Sequence, residues 1–512
     1  MCAEKIMNNF FSMLEQHAHQ QPEKIALVGE NFSISYAELL QQVNQLAEWL
    51  ESNHIGRAGL WGENSIEWVI ADLAAYKAGV TLVPLPRFFS SKQLEHIVAE
   101  AELPCLLVCG EIETVVSPDK RVFTPIKHIL CDYLDASGQN KSLDNIRKIT
   151  FTSGTTGMPK GVCLNEEALE NIIAALVDRI YSAPLDEINR HFVLLPLSTL
   201  LENIAGIYVP LYLGKQVVVL SGNKIGLMGS SSLSLPTLLQ ALHQYQPNSL
   251  IMLPQILLAS VAASAKGYSL PASLKFVAVG GARTPVRLLD QARAFGIPVY
   301  EGYGLSECAS VVSLNSPLAN KTGSVGKPLN HVAVKIDEGV IKVRGNAFSG
   351  YLGQPMHETN VWIDTGDLGH VDEDGFLFIT GRKKNLLISS FGRNISPEWI
   401  ESELGLSRHI AQSLVVGDSQ AFCSAIIVPS SKDVSAQDIA NDIARINQSL
   451  PDYARIQKFV VAKEAFSPGN GLLTDNGRLR RESIISTYSN GIESIYSIMP
   501  NTDNAGVVYD IL

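Results

Sequence analysis

Residues 148–163 read KITFTSGTTGMPKGVC, a stretch dense in hydroxyls and glycines with a lysine near its end. An apolar, β-branched lead-in, Ile149 and Phe151, empties into Thr152, Ser153, Gly154, Thr155, Thr156 and Gly157; Pro159, Lys160 and Gly161 close the stretch. Glycines reach positive φ and turn backbone N–H groups toward a bound anion. The four hydroxyls add donors, and Lys160 adds a mobile positive charge of the kind that binds phosphate. The expectation is a polyphosphate grip between strand-like flanks. It is not a Walker loop, because no Gly-Lys-Ser/Thr follows Gly154 at the required spacing. A flexible Ser/Thr/Gly linker is the plainer alternative; the strand-like flanks and the closing Pro-Lys-Gly argue against it.

Other stretches could serve a nucleotide. In YEGYGLSE (300–307), Tyr303 offers a ring for stacking on a purine, beside Gly304. Ser306 can donate to a phosphate oxygen, and Glu307 suits Mg²⁺, which prefers oxygen ligands alongside substrate phosphates. A surface turn followed by an ordinary helix is the other reading of that segment. In WIDTGD (362–367), Asp367 is expected in a turn after a strand, where it could accept both hydroxyls of a ribose or simply bond its own backbone. TGRKKNLLIS (380–389) supplies Arg382, Lys383 and Lys384; solvated surface charge is the plainer alternative for the two lysines. LLPLSTLLENIAG (194–206) is largely apolar apart from Glu202 and Asn203, as the lining of a hydrophobic acid pocket or as core.

TSGTTGMPKGV resembles the phosphate-binding signature of the adenylate-forming superfamily, which includes acyl-CoA synthetases, luciferases and stand-alone adenylation domains. YGLSE resembles its YGxTE motif with Ser for Thr, and VGGAR (279–283), with Gly281 and Ala282, resembles the segment lining the adenine. TGD and GRKK resemble the ribose-binding and hinge motifs, which implies that Asp367 and Arg382 hold the ribose and that Lys384 is the pivot of a domain rotation. FGRNISPEWIE (391–401) is similar to the loop at the pantetheine entry. NGRLRR resembles the catalytic-lysine motif, but Arg478 stands at the lysine position and no lysine follows Lys463. Thr199 stands where many acyl-activating relatives carry a His beside the acyl carboxylate, in a segment closest in pattern to long-chain acyl-CoA synthetases. The resemblance implies a ligase that joins a medium- or long-chain fatty acid to AMP and then to a thiol. ATP, Mg²⁺ on Glu307, and CoA or the phosphopantetheine arm of an acyl carrier protein are implied with it. An amino-acid adenylation enzyme and a nucleotide-binding member without turnover are the alternatives.

The elements that would position these groups follow from chain texture. A length of 512 residues calls for two or more domains. Near-continuous apolar runs at 191–197, 215–220, 249–254 and 275–281 read as buried strands, and segments such as 235–245 read as helices between them, an α/β pattern. From about 322 to 380 short alternating strands suit a small barrel or antiparallel sheet. The expected architecture is a large N-terminal domain of stacked sheets and helices (1–381) with that barrel-like part. A small mobile α+β C-terminal domain (382–512) follows, hinged near 383–384. A net charge of −11 argues against a nucleic-acid partner. Seven scattered cysteines, no signal-like start and no apolar run near 18 residues suggest a cytoplasmic chain without a membrane span.

Overall fold

In the computed structural model, the residues described are 9–110, 118–134, 143, 145–153, 159–181, 188–228, 232–346, 348–355, 361–474, 477–497 and 508–510. Their strands form two large sheets, a four-stranded antiparallel sheet and a C-terminal sheet, besides two short hairpins. The expected division into a large sheet-rich N-terminal part and a smaller α+β C-terminal part is found.

The first large sheet carries the hairpin Ile146–Ser153 and Pro159–Asn165, bordered by Thr81–Pro84 on one side and Gly350–Tyr351 on the other. The second has a parallel centre, including Val299–Tyr303, Phe276–Val279, Ser249–Met252 and Arg190–Phe192. Helices fill the space between and outside them. Ile66–Lys77 is capped by Ser65, whose side chain accepts from Trp68 N–H at 3.1 Å, and every residue of the helix except Glu67 and Lys77 is buried. A helix apolar on every side belongs inside a domain.

Several expectations sharpen. The helix over 235–245 matches Leu235–Tyr245. The strand expected over 191–197 ends at Phe192, and Pro196 begins the turn into the helix Leu200–Asn203. A single 3₁₀ turn, Ser306–Cys308, stands after Tyr303 in place of an ordinary helix. The barrel-or-sheet region is an open antiparallel sheet in the order Val332–Asp337, Val340–Gly345, Ile363–Val371, Leu377–Arg382, whose outer strands do not pair with each other. Asp367 is therefore not in a turn. It lies inside the strand Ile363–Val371, which absorbs Gly366 at φ +70° and a register shift at Leu368/Gly369 without breaking.

The C-terminal part packs the helices Pro397–Leu404 and Ala436–Asn447 on a sheet containing Ile410–Val416, Cys423–Pro429 and Ile456–Val461. Ser435 and Asp438 close a capping box at the second helix's start. Among the described residues no helix is long and apolar enough to cross a membrane, and the six described cysteines are free and buried.

Candidate active site

The hairpin register sets Thr152 opposite Lys160 and Phe151 opposite Gly161, and Thr152 and Lys160 both line a cavity of about 2630 Å³. A Cβ on Gly161 would come within 3.0 Å of both Ile149 and Phe151, so the flank needs glycine to close. Gly154, Thr155, Thr156 and Gly157 lie outside the described residues, and Ser153 is described by its backbone alone.

Lys160 Nζ lies 5.6 Å from the centroid of the Tyr351 ring, and the Tyr351 hydroxyl donates to Glu307 Oε1 at 2.8 Å. Burial, reinforced by Glu307, raises the Tyr351 pKa and keeps it a donor. Tyr351 thus joins the grip to the carboxylate, through a strand pairing of Gly350 with Cys163. Glu307 is aimed by its 3₁₀ turn, which Ala309 and Ser310 terminate at φ +54° and +95°. Two consecutive non-glycine residues in that region are uncommon and tend to mark functional sites. Gly304 is fixed sterically: a Cβ there would stand 1.6 Å from Ser310 O. Ser306 borders the same cavity.

Asp367 and Arg382 are direct cross-strand partners, and Arg382 Nε sits 3.0 Å from Asp367 Oδ1. The Tyr303 hydroxyl donates to Oδ2 at 2.6 Å, and burial, then the Asp367 charge, raises the Tyr303 pKa. Arg478 arrives from the C-terminal part on a tight hairpin, with Thr474 N–H donating to Arg478 O at 2.7 Å and Gly477 at φ +78°. Loss of hydration in the cleft and the neighbouring Arg382 push its pKa down, while Asp367 and Glu307 pull it up. Lys384 is likewise lowered, by burial and then by Arg382 and Arg478. Neither Arg478 nor Lys384 has an ion-pair partner among the described residues, so both charges stand open to an anion in the cavity.

At the other end, Thr199 opens the helix Leu200–Asn203, and its hydroxyl donates to Pro196 O at 2.6 Å. A π turn, Ile204–Tyr208, follows. Gly281 takes φ +82°, Ala282 is exposed, and both line the cavity. Arg283 donates to Ile379 O and Thr380 O at 3.2 and 3.3 Å, tying this segment to the four-stranded sheet.

A sequence profile described as "AMP-binding enzyme" matches residues 14–352, and one for the "AMP-binding enzyme C-terminal domain" matches 384–499. The chain belongs to the AMP-binding enzyme family. This AMP-binding enzyme is 25% identical to the long-chain-fatty-acid–CoA ligase FadD15 of Mycobacterium bovis, over 96% of this chain and 97% of that one. It superposes on the o-succinylbenzoate CoA synthetase of Bacillus subtilis, solved with its acyl-adenylate intermediate, with a TM-score of 0.73 and 25% identity. That match covers 92% of this chain and 97% of the other. The same synthetase in complex with ATP and magnesium ion gives a TM-score of 0.72 at 25% identity, covering 92% and 98%.

The AMP-binding enzyme therefore brings Thr152, Lys160, Tyr303, Gly304, Ser306, Glu307, Asp367, Arg382, Lys384 and Arg478 to one cavity, together with Thr199, Gly281 and Ala282. For magnesium the donor set fits: Glu307 Oε2 has no hydrogen bond among the described residues, and one carboxylate plus substrate phosphates is a usual Mg²⁺ environment. Tyr351 went unread in the sequence, since only its position after Gly350 marks it and its strand partner lies far away in the chain.

Proposed function

We propose that this enzyme activates a medium- or long-chain fatty acid with ATP and transfers it to the thiol of CoA. In the first step a carboxylate oxygen attacks the α-phosphorus, the bond to the β-phosphate oxygen breaks, and acyl-AMP and pyrophosphate form. In the second the thiol sulfur attacks the acyl carbonyl and AMP leaves. Positioning and charge neutralisation do most of the work in such transfers.

The observation that carries this reading is the convergence of Lys160, Glu307, Asp367 and Arg382 with Arg478 on one cavity whose lining also includes the apolar Leu176, Ile180, Ile251 and Ala278. In this reading Thr152 to Gly157 and Lys160 hold the β- and γ-phosphates, and Ser306 and Gly304 border the α-phosphate. Tyr303, Gly281 and Ala282 flank the purine, and Asp367 and Arg382 take the ribose. Thr199 borders the acyl carboxylate. Magnesium held by Glu307 and the phosphates would supply charge neutralisation as pyrophosphate departs. Arg478 takes the place of the family's lysine, bridging carboxylate and ribose; its fixed charge and forked donors suit that contact. Residues from 382 onward form the lid, turning about 383–384 between the two steps. Relatives named as CoA ligases support CoA as the acceptor.

The test is ATP-dependent pyrophosphate release across a panel of fatty acids. Release with a medium- or long-chain acid, and acyl-CoA formation once CoA is added, is the expected result; a full panel without release overturns the reading. Arg478→Met should slow adenylation about 10- to 100-fold, the worth of one charge-assisted hydrogen bond, and Arg478→Lys should slow it less.

A further inference from the structure

The cavity is lined in part by the parallel sheet and by the helix Glu166–Tyr181. Apolar side chains there include Leu176 and Ile180 from that helix, which also contributes Glu167 and Asn171, with Ala205 and Val209 from the segment after Thr199 and Ile251 and Ala278 from the sheet. Set into this lining is a polar cluster, Ser249, His191 and Glu202. His191 and Ser249 are paired residues on adjacent parallel strands, so their side chains stand on one face. His191 Nδ1 lies 2.9 Å from Ser249 Oγ, and Nε2 lies 3.3 Å from Glu202 Oε1. Leu195 N–H donates to Glu202 Oε2 at 3.2 Å. Glu202 is fully enclosed, whereas His191 and Ser249 border the cavity.

The backbone makes room for this cluster. A Cβ on Gly206 would stand 2.5 Å from Glu202 Oε1 and 3.0 Å from His191 Nε2, and Gly206 lies in the π turn Ile204–Tyr208. Such turns occur frequently at functional sites. Polar groups in an apolar wall are unfavourable unless each finds a partner. A serine hydroxyl has one donor and two lone pairs, and the His191 ring engages one of these in either tautomer. Ser249 therefore keeps a hydrogen-bonding capacity toward the cavity. The cluster holds no Lys or Arg, so it matches a neutral group better than a second carboxylate.

We propose that the acid activated here carries a neutral hydrogen-bonding group, a hydroxyl or a keto oxygen, along or at the end of its chain. Ser249, held by His191 and Glu202, receives that group. This rests on the acid-ligase reading above and narrows its substrate class. Ser249 pairs with Phe276, and Gly280 at the nucleotide end is four residues further along that chain. The separation is about 13 Å at the strand rise, the reach of about ten carbon–carbon bonds of ~1.5 Å in an extended zigzag.

The experiment compares saturated acids with their ω-hydroxy counterparts, from about eight to about fourteen carbons, by ATP-dependent pyrophosphate release. At the matching length the hydroxy acid should show kcat/KM about three- to tenfold higher, the worth of one neutral hydrogen bond. Ser249→Ala should bring that ratio to about one, and Ser249→Thr should retain most of it. Equal kcat/KM for each pair across the wild-type series, or a ratio that survives Ser249→Ala, overturns the subsite and leaves the ligase reading standing. No release with any acid overturns both.

Discussion

Asp72 with Lys148 and Asp367 with Arg382 each pair an aspartate with a basic side chain at similar range, 2.7 and 3.0 Å, in opposite surroundings. In the first pair the side chains are 0% and 3% exposed; in the second, 7% and 47%. Around Lys148 the polar groups are tied to one another. Asn203 also accepts from its ammonium, and Asp72 Oδ2 accepts from Asn203 Nδ2 and the Tyr208 hydroxyl, both at 2.9 Å. That network fastens the helix Ile66–Lys77, the strand Ile146–Ser153 and the helix Leu200–Asn203 to one another. Around Arg382 the guanidinium is left half in the cavity. Enclosure of both partners makes a clamp; enclosure of the acid alone leaves a cation that can bind.

The hardest break in this contrast is Lys148→Met. Burial already pushes the Lys148 pKa down against the pull of Asp72, and removing the ammonium strands the Asp72 carboxylate in the core. Urea denaturation should show a loss of about 3–5 kcal/mol; a loss under about 1 kcal/mol would make the pair no clamp at all. Glu301 extends the series to a buried carboxylate with no ion-pair partner among the described residues. It is 6% exposed, and burial raises its pKa to about 7 against the Thr284 backbone N–H, Arg283 and Arg293. Since the folded value exceeds the unfolded one, the native state binds this proton more tightly, and the group's contribution falls as pH rises from about 4.5 to about 7. Glu301→Gln should flatten the stability–pH curve over that window by about 3 kcal/mol. An unchanged slope would mean that Glu301 is charged throughout.

The two pairs also differ in how they could be read from sequence. Asp367 and Arg382 fall in short contiguous motifs that resemble the family's ribose-binding and hinge motifs, and the strand–loop–strand around Lys160 is equally local. Lys148 stands four residues before Thr152, yet its partner is 76 residues away on a helix whose pattern, IEWVIADLAAYK, correctly reads as apolar. One acid in such a helix carries no signal until the fold supplies a cation. The cluster of His191, Glu202 and Ser249 was hidden for the same reason, because strand pairing brings two of its members together. Thr-Gly-Asp reads as a turn since glycine at positive φ usually makes one; here the ladder on both sides holds the strand through it.

The cavity-facing pair gives the next prediction. Arg382→Ala should lower kcat/KM for ATP in pyrophosphate release about 10- to 100-fold, the value of a charge-assisted contact. Stability should stay within about 1 kcal/mol, because Arg382 is half exposed and Tyr303 still donates to Asp367. A destabilisation as large as that of Lys148→Met would class this pair as a second clamp.

The smallest effect belongs to Lys321, whose ammonium lies 2.6 Å from Asp372 and 2.9 Å from Asp374, both shorter than the 3.0 Å of the Asp367–Arg382 pair. Lys321 and Asp374 are 42% and 69% exposed, and charges in water are screened and lose side-chain entropy on pairing. Lys321→Ala should leave the denaturation midpoint unmoved at low and at high salt. A clear shift here would make ion-pair distance the governing variable; its absence, beside a large loss at Lys148, makes enclosure the governing one.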